Sequence, residues 1–136
     1  MKLILDTNCY ISFLNRRDEE QHLKMVEFFE SVSRTEFEVI LISHNLTEIS
    51  FVFQSIYNID KAKIKTILND LLQNPGVHYE CGYFPELTLS LWQKQIKDYG
   101  DAILAAASIS LGASILSFDK VFLKELKRMG VEYYSI

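Results

Sequence analysis

Four carboxylates stand where short apolar runs give way to polar residues: Asp6 in LILDTN, Glu48 in SHNLTEISF, Asp101 in YGDAILAA and Asp119 in ASILSFDKVF. Carboxylates brought close together repel one another, so a group of three or four either holds protons to unusually high pH or takes up a cation. An all-oxygen donor set of this kind suits the hard ions Mg²⁺ and Mn²⁺ better than zinc. Each acid also has a plainer reading. Asp6, Asp101 and Asp119 are good N-cap residues for the helices that follow them, and Asn45 with Glu48 three residues later has capping-box spacing. The readings separate on whether the four residues share one place in the fold.

The elements that would position them alternate along the chain. Short apolar runs predict strands over Lys2–Leu5, Glu38–Ile42, Val77–Cys81, Ala113–Ser117 and Val131–Tyr134. Helical spacing predicts helices over Asp18–Ser33, carrying Leu23, Val26, Phe29 and Val32, over Asn45–Tyr57, and over Ile59–Leu72, whose stripe is Ile64, Ile67, Leu68, Leu71 and Leu72. Pro85–Asp98 begins with a proline suited to a first turn, and the Ala-rich Asp101–Leu111 is apolar nearly all round, as a helix packed on several sides must be. Gly112 and Gly130 suit the C-terminal caps of that helix and of the last one, Val121–Met129. Alternating strands and helices imply an α/β fold, a three-layer α/β/α sandwich around a central, mainly parallel five-stranded sheet of Rossmann-like type. In such sheets functional groups gather beyond the carboxyl ends of the strands. Asp6, Glu48 and Asp119 then fall at one edge, and Asp101 joins them from a neighbouring helix start.

Composition narrows the function classes. A chain of 136 residues with 49% hydrophobic and 24% charged content reads as one domain, residues 1–136, with a sizeable core. No apolar run reaches the roughly 20 residues of a membrane helix, and the start of the chain does not read as a signal peptide, so a cytoplasmic location without a membrane partner is the expectation. The net charge of −4 argues against broad non-specific binding to nucleic acid, though not against a basic rim around an acidic centre. Cys9 and Cys81 form no metal pattern, and His22, His44 and His78 are scattered, with surface or capping roles expected for each. No Gly-rich phosphate loop and no G-x-S-x-G elbow follows any strand. The bulky residues of KMVEFFE and EISFVFQSIY, Met25, Phe28, Phe51 and Val52 among them, are expected to add core, or alternatively to face a second copy or a partner.

LDTN at Asp6, Glu48 in NLTEISFVF, DAILAAAS from Asp101 and ILSFDKVFLKEL around Asp119 together resemble the PIN-domain family, and within it the compact ribonucleases of VapC type. The resemblance spans essentially the whole chain. It implies a metal-dependent endoribonuclease that hydrolyses RNA phosphodiester bonds, the toxin component of a toxin–antitoxin pair. Asp6, Glu48, Asp101 and Asp119 would be its catalytic, metal-holding quartet around Mg²⁺ or Mn²⁺, with Thr7, Asn8 and Ser117 as polar support. Ser117 stands where many relatives carry Thr, which keeps a hydroxyl. The resemblance also implies an antitoxin partner and a homodimer. Arg16, Arg17 and Lys120 are the candidates for contact with the RNA backbone. Two other readings stay open: a PIN-fold RNA-binding or RNA-processing protein without a toxin role, and a Mg²⁺-binding receiver-like signalling domain. The latter would want adjacent acids after the first strand, where Asp6 stands alone.

Overall fold

Leu3, Ile4 and Leu5 are apolar at consecutive positions because this strand is covered on both faces, as buried parallel strands are. The computed structural model describes residues 1–135, so Ile136 of the expected 1–136 domain lies outside the described residues. Along them run β1 (Lys2–Leu5), α1 (Thr7–Leu14), α2 (Glu19–Ser33), β2 (Glu38–Ile42), α3 (Ser43–Ser55), α4 (Lys61–Gln73), β3 (Val77–Glu80), α5 (Pro85–Leu91), α6 (Tyr99–Leu111), β4 (Ser114–Leu116), α7 (Lys120–Met129) and β5 (Tyr133–Tyr134). The strands form one sheet in the order β3-β2-β1-β4-β5, and every pairing is parallel.

Side chains alternate across the sheet with period two and so divide the core into two layers. Leu3, Leu5, Val39, Leu41 and Leu116 face α1 to α4, where Tyr10, Met25, Phe29, Ile49, Phe53 and Ile64 close over them. Ile4, Ile40, Ile42 and Ile115 face the other way, against Leu91 of α5, the alanines of α6, and Phe122 and Leu126 of α7. This is the expected three-layer sandwich. Ala102, Ala105, Ala106 and Ala107 are fully buried, and their small side chains allow α6 to lie close on the sheet. Gly112 and Gly130 adopt the left-handed conformation (φ 64° and 71°) and end α6 and α7.

Several local expectations change. The buried stripe of α2 is Met25, Phe29 and Val32, and Leu23 is 58% exposed. Phe28 and Val52 pack against the core edge, but Phe51 points away from it, 64% exposed. The helix from Pro85 stops at Leu91 rather than Asp98. Gln93 takes a positive φ of 70°, Trp92 pairs with Ile96, and the Trp92 indole N–H donates to the Lys97 carbonyl. The turn is closed from below by the buried Glu125, whose Oε2 accepts the Lys97 N–H at 3.0 Å. This frees Asp98 to begin the next helix. The second-strand helix starts at Ser43, directly after β2, two residues ahead of the expected Asn45.

Among the described residues, no helix is long and apolar enough to cross a membrane.

Candidate metal centre

The strand order reverses between β1 and β4, and the crevice beyond their carboxyl ends is where such sheets place ligands. Asp6 follows β1 directly and Ser117 follows β4. The two are tied at the backbone by the Asp6 N–H to the Leu116 carbonyl (2.9 Å), and at the side chain by the Ser117 hydroxyl, which donates to Asp6 Oδ2 at 2.8 Å. Asp6 occupies the N-cap position of α1, yet no side-chain cap hydrogen bond forms there. The strand instead delivers a carboxylate that is only 7% exposed. Burial raises its pKa above the ordinary value, the Ser117 hydrogen bond opposes the rise, and the charges of Glu48 and Asp119 add to it.

Glu48 enters from α3 through a relay of hydrogen bonds. Asn45 is fully buried. Its Oδ1 accepts the Ile42 N–H (3.3 Å), and its Nδ2 donates to the Leu5 carbonyl and to Thr7 Oγ1 (3.1 Å each). Thr7 in turn donates to Glu48 Oε1 at 2.7 Å. Asn45 is therefore the third residue of α3, not its N-cap, and the capping-box reading of Asn45 and Glu48 is corrected: the amide ties the end of β1 to the start of α3. His44 Nε2 lies 2.8 Å from the same Glu48 oxygen, one helical turn away. Both neighbours meet Oε1, which leaves Oε2 open. Burial, the largest influence on Glu48, pushes its pKa up, but the bonds from His44 and Thr7 outweigh it and the net shift is downward.

Asp101 is the third residue of α6, and Asp98 is that helix's cap, its Oδ2 accepting the Asp101 N–H at 3.0 Å. A Cβ added at Gly100 would lie 3.0 Å from His44 Nε2 and 3.1 Å from Asp98 Oδ2. A side chain at this position would require His44 and Asp98 to give way by a few tenths of an ångström. The pKa of Asp101 is pushed up to about 8, first by burial and then by the charges of Asp6, Asp98, Asp119 and Glu125. Asp119 does cap its helix: Oδ1 accepts the Val121 and Phe122 N–H groups at 2.9 and 3.2 Å, and the Asp119 N–H donates to Ser117 Oγ at 3.0 Å. Ser117 thus serves two of the acids with one hydroxyl.

The four acids come from four elements, and Asp6 lies within range of the charges of the other three. Among the described residues no group of three or more Asp, Glu, His or Cys side chains stands close enough together to hold a metal ion. The donor set fits a hard divalent cation. It is all oxygen, and Asp6, Glu48 and Asp119 each keep one carboxylate oxygen outside the bonds described. His44 is turned toward Glu48, and the buried Cys9 thiol, directed at the Leu116 carbonyl, has its pKa pushed well up by burial.

The other singled-out residues are placed as follows. Asn8 is exposed at the start of α1 and lines a cleft of about 500 Å³ that Asp119 and Arg17 also line. Arg17 donates to the Tyr57 hydroxyl at 3.3 Å. Lys120 is exposed beside Asp119, and Arg16 is exposed but does not line the cleft. Sequence reasoning missed His44, although its position four residues before Glu48 places both on one helix face.

A family model described as PIN domain matches residues 3–128. No curated protein matches the chain. Among solved structures it is similar to VapBC2 from Rickettsia felis bound to a DNA fragment from their promoter, with 19% identity, TM-score 0.69, and coverage of 99% of this chain and 98% of that one. It is also similar to VapBC-1 from nontypeable Haemophilus influenzae, with 17% identity, TM-score 0.62 and coverage of 99% and 98%. FitAB bound to the IR36 DNA fragment shares 12% identity at TM-score 0.61, over 98% and 94% of the two chains.

Proposed function

The chain belongs to the PIN-domain family, and from that premise we propose that it is a Mg²⁺- or Mn²⁺-dependent endoribonuclease, the toxin component of a toxin–antitoxin pair. The observation that carries this reading is the set of acids Asp6, Glu48, Asp101 and Asp119 around the β1–β4 switch point, with the pKa of Asp101 pushed up to about 8, first by burial and then by Asp6, Asp98, Asp119 and Glu125. Carboxylates alone repel the phosphodiester they must approach, and a cation held by them reverses that sign. When bound, the cation supplies an activated water and offsets charge on the phosphoryl oxygens.

The chain's own residues have separate roles in this proposal. Ser117 fixes Asp6, and Thr7 and His44 fix Glu48 through Oε1, so that each presents a free oxygen to the cation. Asn8 lies at the mouth of the pocket. Arg17, Lys120 and Arg16 neutralise flanking phosphates of the RNA. Its partners are an RNA substrate, an antitoxin protein and a second copy of the chain. The likeness to VapBC and FitAB complexes supports the antitoxin. The exposed Phe51 and Ile56, 64% and 60% accessible on and just after α3, support a protein-covered face.

The purified protein with Mn²⁺ is expected to cleave single-stranded RNA, and the Asp6→Asn and Asp101→Asn variants are expected not to. Identical behaviour of all three proteins would refute the ribonuclease reading. Growth arrest on expression that Asp6→Ala relieves is the expected toxin phenotype. Active enzyme without arrest would leave RNA processing as the role.

A further inference from the structure

The cleft between α1 and α2 is lined by Asp119, one of the four acids, together with Asp18 and Arg17. Its volume of about 500 Å³ lies within the range of small-molecule sites, and an unstacked base with its ribose is a ligand of that scale. Ile11 and Phe118 add a small apolar surface to a lining that is otherwise polar. Its polar groups are mixed: the carboxylates of Asp18 and Asp119 accept, whereas two amides are turned to donate. Asn15 Oδ1 already accepts the Arg17 N–H at 2.9 Å, and Gln21 Oε1 accepts the Ser12 hydroxyl at 3.1 Å. Both amide oxygens are therefore used within the protein, and both NH₂ groups remain as donors. Two donors beside the apolar surface of Ile11 and Phe118 match the carbonyl and ring-nitrogen acceptors on a base edge. A bare phosphate would not need the apolar surface of Ile11 and Phe118.

We propose that this cleft is a nucleobase pocket, which takes one unstacked base of a single-stranded RNA adjacent to the phosphate held at the carboxylates. The proposal rests on the ribonuclease reading of the neighbouring site and names the substrate class more closely. Arg17, in the lining of the cleft, meets the next phosphate along the strand. Selectivity follows from the donors, since bases with two acceptors on one edge satisfy Asn15 and Gln21 together.

The test is fluorescence anisotropy of a short single-stranded RNA in Ca²⁺, with a single abasic site walked through its sequence, alongside hydrolysis of the same set in Mn²⁺. For the wild type, one abasic position is expected to weaken binding about tenfold, the scale of one stacked and hydrogen-bonded base. Gln21→Glu keeps the acceptor that the Ser12 hydroxyl needs and removes the NH₂ donor, so the fold is retained. It is expected to reduce the penalty of that abasic position to about twofold or less, and Asn15→Asp should act in the same direction. A flat abasic scan with RNA still bound and cut would overturn the pocket alone and assign the cleft to a protein partner's side chain. Protein that neither binds nor cuts RNA would overturn the pocket together with the reading beneath it.

Discussion

On the α1 and α3 side of the pocket, Asp6 and Glu48 each accept a hydroxyl hydrogen bond, from Ser117 and Thr7; on the α6 side, Asp101 accepts no side-chain hydrogen bond among the described residues. All three carboxylates are at least half buried, yet they titrate differently. Glu48 moves below its ordinary value because donors outweigh burial, whereas Asp101 rises to about 8 because only burial and like charges act on it. Asp6 is raised, burial outweighing the bond from its serine. One side of the site is organised by the protein in advance, and the other gains most from a cation. The difference shows that a cluster of acids is not uniform: its hydrogen-bond donors decide which members are ionised before metal arrives.

The largest effects come from the carboxylates themselves. Asp6→Asn and Asp101→Asn are each expected to lower kcat for RNA hydrolysis in Mn²⁺ by about 10³-fold or more, since each removes charge from the cation's seat. If Asp101→Asn retained activity close to wild type while Asp6→Asn lost it, the assignment of the α6 side to the cation would break. Positioning residues come next. Ser117→Ala and His44→Ala leave all four carboxylates in place but release Asp6 and Glu48 from fixed orientations. Mn²⁺ affinity by calorimetry is expected to fall about 10- to 100-fold in each. Ser117→Thr should recover most of it, because the hydroxyl is retained. Unchanged affinity in His44→Ala would show that Thr7 alone orients Glu48.

The sheet and the acids differ from their supports in how far the sequence revealed them. β1 and β2 match their expected bounds because unbroken apolar runs occur where both faces of a strand are covered. The C-caps at Gly112 and Gly130 were legible because few other residues tolerate a left-handed turn. Asn45 misled because asparagine is a frequent N-cap, and only the buried Leu5 carbonyl and Thr7 hydroxyl show that its amide joins two elements 38 and 40 residues apart. His44 was unreadable for a related reason: with the helix placed too late, it fell outside the face that carries Glu48. The early end of α5 depends on Glu125, 28 residues from the backbone it holds, and no local pattern reports such a contact.

The smallest expected effect concerns the metal-free protein, where the unsupported side of the pocket carries its cost openly. The native pKa of Asp101, about 8, lies far above the ordinary 3.8. Between those values the native protein keeps a proton that the unfolded chain has released, so raising the pH favours unfolding. The destabilisation begins above about pH 4 and is complete once the pH passes the native value. The raised pKa of Asp6 acts in the same direction, whereas the lowered one of Glu48 acts only on the acid side of its ordinary value, outside this window. In EDTA the melting temperature is therefore expected to fall between pH 5 and pH 8. Asp101→Asn should flatten that fall and stabilise the pH 8 protein by roughly 1–2 kcal/mol, a value discounted for the partial exposure of the carboxylate. Added Mn²⁺ should raise the melting temperature of the wild type more at pH 8 than at pH 5, because at pH 5 the cation must displace the Asp101 proton. Equal stabilisation at both pH values would mean that the cation sits among the supported acids and leaves Asp101 out.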